Sequence, residues 1–263
     1  VQGSLGPDEY FLTVTDANSC TASDNITITQ PDVLTAAITQ TNSIDCNGDA
    51  DGELTGTVTG GTSTYSYDWG TTAGGTDVAD PAATASLTNV QGSLGPDEYF
   101  LTVTDANSCT ASHNITITQP DALTAVITET NSIDCNGDDD GELTGTVTGG
   151  TSAYNYDWGT TLNGTEVADV NASASLTNVQ GPLAPDEYFL TVTDANGCIA
   201  RDDITITEPD VLTAVITQTN NIDCNGDDDG ELTGTLTGGT ANYNYDWGTS
   251  LNGTEVADVN ASA

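Results

Sequence analysis

"DEYFLTVTDANSC" stands at 97–109, stands unchanged at 8–20, and returns with one substitution as "DEYFLTVTDANGC" at 186–198. Its first half alternates: Tyr99, Leu101 and Val103 fall on one side, with Thr102 and Thr104 on the other. That period of two predicts a half-buried β-strand. Asp105, Ala106 and Asn107 follow as turn chemistry, because short Asp and Asn side chains bond their own backbone. "SHNITITQP" (112–120) then alternates again, with Ile115 and Ile117 inward and Pro120 ending the strand. The stretch therefore predicts an antiparallel hairpin, used three times.

Working outward, the whole chain keeps this period. Cys46, Cys135 and Cys224 stand 89 residues apart, as do Cys20, Cys109 and Cys198, and as do Trp69, Trp158 and Trp247. A unit of 89 residues is an ordinary size for a small β-domain. The repeat phase gives four segments: 1–33 as the C-terminal part of a repeat, 34–122 and 123–211 as complete repeats, and 212–263 as an N-terminal part. The expectation is a longer array cut mid-repeat.

Within 34–122, strands are expected at 34–41, 53–61, 65–70, 85–90, 97–106 and 112–120, with a short edge strand at 75–80. Leu54 and Val58 share a face with Gly56 between them. No helical periodicity occurs anywhere. Short alternating strands separated by Asn, Asp and Gly turns predict an all-β fold, tandem immunoglobulin-like antiparallel β-sandwiches arranged head to tail. A buried Trp on the third strand (Trp69) and a Tyr opening the sixth (Tyr99) suit it. Both are read as core residues rather than as a sugar-stacking platform. The linkers, such as "TQPDALTA" at 118–125, are short.

The chain has 40 acidic side chains against one basic one, Arg201, and a net charge of −39. It will repel nucleic acid and anionic membranes, whose phosphates need Lys or Arg, and attract cations. No apolar run is long enough to span a membrane as a helix. Six Cys in regular register without C-x-x-C argue for disulfides, hence for an extracellular place. Buried free thiols are the alternative.

Catalysis finds no support. The single His, His113, is replaced by Asp24 and Asp202 in the other copies. No nucleophile–base set or phosphate loop is present.

The run from Cys46 to Trp69 (Cys-Asn-Gly, Asp-Gly, a Gly-Gly-Thr turn, then Tyr-x-Tyr-x-Trp) continues to "YFLTVTDANSC" at 99–109 and "ITITQP" at 115–120. Together these resemble the SprB-type repeat of the long surface adhesins of gliding bacteria. The resemblance covers every unit. It implies secreted, cell-surface, tandemly arrayed β-sandwiches without catalytic activity.

The acidic loop "NGDADGEL" (47–54) carries half of a calcium-loop pattern. Asn47, Asp49 and Asp51 fall at alternate ligand positions, Gly52 at the sharp turn and Leu54 at the apolar position. Glu53 or Asp45 could stand in for the missing bidentate Glu. The copies are Asn136, Asp138, Asp140 and Glu142, and Asn225, Asp227, Asp229 and Glu231. A Ca2+ ion held here would relieve carboxylate repulsion; a solvated turn is the alternative.

Strand parity places Cys46 at the C-terminal end of its sandwich and Cys109 at the N-terminal end, a strand length of about 17–20 Å away. A disulfide needs Cα atoms within about 7 Å. A staple between repeats, Cys46–Cys198, is therefore expected, with the other cysteines paired outside this segment. The rival is Cys46–Cys109 with Cys135–Cys198, which a missing strand would make right.

Six Asn-x-Ser/Thr sequons (Asn25, Asn114, Asn163, Asn171, Asn252 and Asn260) could carry glycans, or reflect chance in an Asn- and Thr-rich chain. The expected role is an extracellular filament or stalk whose partners are further copies of the same repeat. The alternative is an adhesin gripping a glycan or another surface. A mineral- or ice-contacting ladder of Thr and Asp, and strand exchange between chains, are weaker readings.

Overall fold

In the computed structural model, residues 3–74, 78, 84–162, 170–249 and 251 are described. The chain divides into two compact units, Val1–Gln119 and Pro120–Ala263. Among the described residues there is no helix, and hence none long and apolar enough to cross a membrane.

The first unit opens with a hairpin, β1 (Asp8–Thr15) and β2 (Thr21–Ile28). A sandwich follows, made of β3 (Thr35–Asn42), β4 (Gly52–Thr59), β5 (Ser66–Gly70), β6 (Thr88–Leu94), β7 (Glu98–Thr104) and β8 (Thr110–Thr116). One sheet has the order β3-β4-β6 and the other β5-β7-β8. Every pairing is antiparallel. The second unit holds β9 (Thr124–Asn131), β10 (Gly141–Thr148), β11 (Tyr154–Gly159), β12 (Val170–Ser173), β13 (Thr177–Leu183), β14 (Glu187–Thr193) and β15 (Ile199–Thr205). Its sheets run β13-β10-β9 and β12-β11-β14-β15. It also holds the hairpin β16 (Thr213–Asn220) and β17 (Glu231–Thr237). This is the immunoglobulin-like two-sheet sandwich.

The expected strands are found within a few residues of their predicted bounds. The edge strand expected at 75–80 lies, apart from Val78, outside the described residues. In the second unit the strand at that edge is β12, which pairs with β11.

The core forms where the two sheets turn their alternate side chains inward. Leu54 and Val58 from β4 meet Tyr67 and Trp69 from β5 and Leu101 and Val103 from β7, all essentially fully buried. The second sandwich repeats this with Leu143, Val147, Tyr156, Trp158, Leu190 and Val192. The buried polar tips are bonded. Trp69 Nε1 donates to Asn89 Oδ1 at 2.8 Å and Tyr67 Oη to the Ser86 carbonyl at 2.8 Å. Tyr99 Oη donates back to the Gly95 carbonyl at 3.1 Å, which pins the turn before β7. Burial pushes the Tyr67 and Tyr99 hydroxyls up from the usual phenol range, so both remain protonated donors.

Gly56 is small for a steric reason. A Cβ built there would stand 2.7 Å from Leu101 Cδ2 and 2.8 Å from Trp69 Cζ2. Gly145 meets Leu190 and Trp158 in the same way. Gly56→Ala should destabilise the first sandwich by about 1–3 kcal/mol through overpacking. Denaturant unfolding followed by Trp fluorescence checks this. The same change at Gly92, whose nearest neighbour is a side-chain oxygen 4.0 Å off, should not overpack the core.

Candidate functional site

The residues singled out by sequence gather at the two opposite ends of each sandwich. At one end is the acidic loop between the first and second strands. Its backbone is tied to the segment that leaves the repeat: Gly48 N–H donates to Gln119 Oε1 at 2.8 Å. In the second unit Gly137 N–H donates to Glu208 Oε2 at 2.5 Å, and Asn136 Nδ2 to the Pro209 carbonyl at 3.1 Å. Gly48 and Gly137 have φ near +90° and +89°, the region glycine adopts freely. That conformation presents the N–H outward.

Inside the loop, Asp49 N–H closes a turn on the Cys46 carbonyl at 3.1 Å. Asp51 Oδ1 accepts from Asp45 N–H at 3.3 Å, while Asn42 Nδ2 donates to the Asp51 carbonyl at 2.8 Å. Asp140 and Asp229 make the same bonds with Asp134 and Asp223. Asn47 and Asp49, like Asn136 and Asp138 and like Asn225 and Asp227, are exposed. Glu53 sits on β4 and accepts from Thr41 Oγ1 at 2.7 Å, and Glu142 accepts from Thr130 at 2.9 Å. Glu231 is exposed on β17. Among the described residues, no three Asp, Glu, His or Cys side chains are grouped closely enough to hold a metal ion.

At the other end is the Asp-Ala-Asn-x-Cys turn, which binds the chain entering the repeat through the Gly-Gly-Thr turn. Asp105 Oδ1 accepts from Asn107 N–H at 2.9 Å and Cys109 N–H at 2.8 Å. Its Oδ2 accepts from Thr62 N–H at 2.8 Å. Ala106 N–H donates to the Thr62 carbonyl, and Gly61 N–H to the Asp32 carbonyl, at 3.0 and 2.9 Å. Asp194, Thr151, Gly150 and Asp121 repeat the clasp. Sequence reading treated Asp105 only as a turn former. The spacing Asp-x-Asn-x-Cys after a strand carried the missed signal, since one carboxylate can accept from N–H groups two and four residues on.

Parity is therefore as expected: Cys46 lies at the exit end of its sandwich and Cys109 at the incoming end. Cys46 and Cys198 are each in the disulfide form and half-buried. Cys20, Cys109, Cys135 and Cys224 are free and exposed.

Of the sequons, Asn25 lies on β2 and Asn114 on β8, their amides donating to Glu9 and Glu98. Asn171 falls on β12. Asn163, Asn252 and Asn260 lie outside the described residues.

The SprB repeat model matches residues 38–74, 127–162 and 216–252. The chain carries SprB repeats. Each match runs from the first strand through the acidic loop and the Gly-Gly-Thr turn to the Trp strand, so both ends of an SprB repeat are represented in it. Among curated proteins none matches the chain. Among solved structures, it is similar to the ectodomain (Ig1–Ig3) of mouse nectin-like molecule 4, at 13% identity over 66% of this chain and 63% of that one, TM-score 0.33. It is also similar to a C-terminal 282-residue fragment of intimin in complex with the intimin-binding domain of the translocated intimin receptor, at 14% identity over 70% and 66%, TM-score 0.35. A tetra-tandem repeat from the extending region of a large adhesion protein aligns at 14% identity over 88% and 69%, TM-score 0.29. The chain spans less than two-thirds of the first two. The fold rests on strand order and register, not on these likenesses.

The hydrogen bonds to Asp105, from Thr62 N–H first and then from Cys109 and Asn107, outweigh its burial and hold its carboxyl below the usual carboxylate range. A folded-state pKa below the unfolded value stabilises the fold above the unfolded pKa, about 3.9. That stability is lost as pH falls through the folded pKa. Wild-type stability should therefore drop below about pH 4. Asp105→Asn should be less stable at pH 7, and its deficit should narrow in acid. Urea midpoints at pH 7, 4 and 2.5 check both.

Proposed function

We propose that this chain is part of an extracellular stalk or filament on a bacterial surface, in which SprB repeats are joined end to end and the joints are stiffened covalently. The SprB repeats support a cell-surface protein of the adhesin-repeat type with a non-catalytic role. The observation that carries the finer reading is the division of the cysteines. Cys46, at the exit end of its sandwich, and Cys198, at the incoming end of its own, are each in the disulfide form. The cysteines at equivalent places are free. Cys46 and Cys198 stand 152 positions apart, a repeat plus the distance from the acidic loop to the turn. A staple of this kind joins each exit loop to the incoming turn of the following repeat.

Two features reinforce such a joint. The exit segment is already held by Gln119 on Gly48, and by Glu208 on Gly137. The linkers are too short to act as flexible tethers. A structural array also accounts for near-identical copies, because equivalent repeats make equivalent joints. In the adhesin alternative, the loops would grip a glycan or another surface.

Non-reducing peptide mapping tests the staple. A linked peptide containing Cys46 and Cys198 is expected; a Cys46–Cys109 peptide would end the reading. Reduction should lower the apparent melting temperature, since a cross-link between repeats restricts the unfolded chain by about 2–4 kcal/mol.

Calcium is the second element of the proposal. It rests on the alternate Asn and Asp residues of the loop and on a net charge of −39. Asp49 and Asp51, with their copies, would have to be drawn together around the ion. Binding to the folded form alone raises stability by linkage. A melt in chelator and then in millimolar calcium is expected to show a rise that magnesium does not reproduce. An unchanged midpoint would reduce the loop to a solvated turn.

A further inference from the structure

We propose that His113 makes the first sandwich sensitive to mild acid: its neutral imidazole ties the first strand of the repeat, β3, to the last, β8, and protonation cuts that tie in a pH range that leaves the second sandwich closed.

The tie is a hydrogen bond between sheets. β3 and β8 are edge strands of different sheets, and so are β9 and β15. An edge strand has backbone N–H groups that its own sheet does not use. Ile38 has one of them, and it donates to His113 Nδ1 at 3.3 Å. The Ile38 side chain is only 5% exposed, so this amide lies against the core, where losing an acceptor is costly. The second sandwich makes the same bond across the same 75 positions with a different acceptor. There Ile127 N–H donates to Asp202 Oδ2 at 2.7 Å. The shorter distance is what a charged acceptor gives. Both complete repeats thus place an acceptor at this point of the last strand, and only its chemistry differs.

The two acceptors answer differently to acid. An imidazole nitrogen accepts only when it is bare, so the neutral ring keeps its one proton on Nε2. A second proton has only Nδ1 to go to. That atom then becomes a donor facing a donor, and the Ile38 N–H loses its partner. An ordinary imidazole takes its proton near pH 6.5 and an ordinary aspartate near 3.9. Both bonds belong to the unprotonated acceptor, so each adds stability at higher pH and loses it on acidification. The imidazole bond goes first, and between about pH 4 and 6.5 only the first sandwich is affected.

The surroundings of His113 supply no substitute acceptor of opposite charge to the imidazolium at this bond. β3 carries no titratable side chain, and β8 none besides His113. β7 carries Glu98 and Tyr99, both engaged elsewhere: Glu98 accepts from Asn114 Nδ2 at 2.7 Å, and Tyr99 donates to the Gly95 carbonyl. A cavity of about 290 Å³ beside His113 is lined by Gly74, Phe100, Thr102, Ser112 and Asn114, all uncharged. The strands packed around Asp202 carry Arg201 and Asp203 on β15, Glu129 on β9, and Glu187 and Tyr188 on β14.

The test uses the full 263-residue chain. His113 is its only histidine, so the imidazole signals in an NMR titration need no variant for assignment. The ring nitrogen shifts are read together with the amide shifts and hydrogen exchange of Ile38 and Ile127. As pH falls from 8 to 5, the Ile38 amide is expected to move with the imidazole. Its exchange protection, corrected for the intrinsic pH dependence, should fall about 2- to 12-fold, the worth of one neutral hydrogen bond. Ile127 should keep its protection over the same range. His113→Asp, which installs the acceptor of the second repeat, should abolish the Ile38 transition, and Asp202→His should create one at Ile127. An Ile38 amide that keeps its shift and protection while the imidazole titrates overturns the proposal. So does a neutral ring with its proton on Nδ1, or an Ile38 transition that survives in His113→Asp. Equal losses at Ile38 and Ile127 would mean general acid loosening and overturn it as well.

Discussion

The contact on which each sandwich depends is three-sided: a glycine on β4, a tryptophan on β5 and a leucine on β7. Trp69 and Leu101 are fully buried and leave no room at Gly56 even for a methyl group. The two sheets approach closely because the strand facing the indole presents bare backbone at that point. Trp69 is then fixed in direction by Asn89, which sits on β6 in the same sheet as β4. One aromatic ring thus ties both sheets together, through packing on one side and a hydrogen bond on the other. Dense packing of this kind tolerates little change in volume, so the repeat keeps its Gly, Trp and Leu wherever the sandwich is complete.

Around that contact the two ends are organised by different chemistry. The incoming end is held by one carboxylate that accepts three backbone N–H groups, and it needs no cation. The exit end is held by a glycine N–H that binds whatever acceptor the linker supplies, an amide at Gln119 and a carboxylate at Glu208. A device that accepts either side chain reads geometry rather than charge. The repeat is polar along its length, with a loop cysteine at one end and a turn cysteine at the other. That polarity separates the two cysteines of one repeat by a strand length, too far for one disulfide.

Much of this was legible in the sequence. Period-two alternation located the strands and named Leu54, Val58, Tyr99, Leu101 and Val103 as inward, because burial on one face leaves that trace in any half-buried strand. Counting strands then gave the parity that puts Cys46 and Cys109 at opposite ends. The functions of Asp105 and Gln119 were not legible, because each depends on a partner far along the chain: Thr62 for one and Gly48 for the other. A local pattern shows that Asp favours a turn; it does not show which distant N–H groups the turn will capture. Glu53 illustrates the same limit. It was read as a stand-in for the missing bidentate Glu, and its carboxylate accepts from Thr41 on the neighbouring strand.

The acidity of the chain bears directly on the architecture of an array. With 40 carboxylates and one guanidinium, attraction between opposite charges cannot hold repeats together. Repulsion between neighbouring repeats favours their separation at every joint, and salt removes only its long-range part. Cohesion must therefore come from contacts indifferent to charge: buried apolar faces, backbone hydrogen bonds and covalent bonds. The same repulsion keeps polar outer faces from sticking laterally, so a chain of this composition is directed toward end-to-end contact. In the proposed stalk, extreme charge and a disulfide at the joint would be two halves of one solution, the charge preventing association at the sides and the staple holding the ends against it.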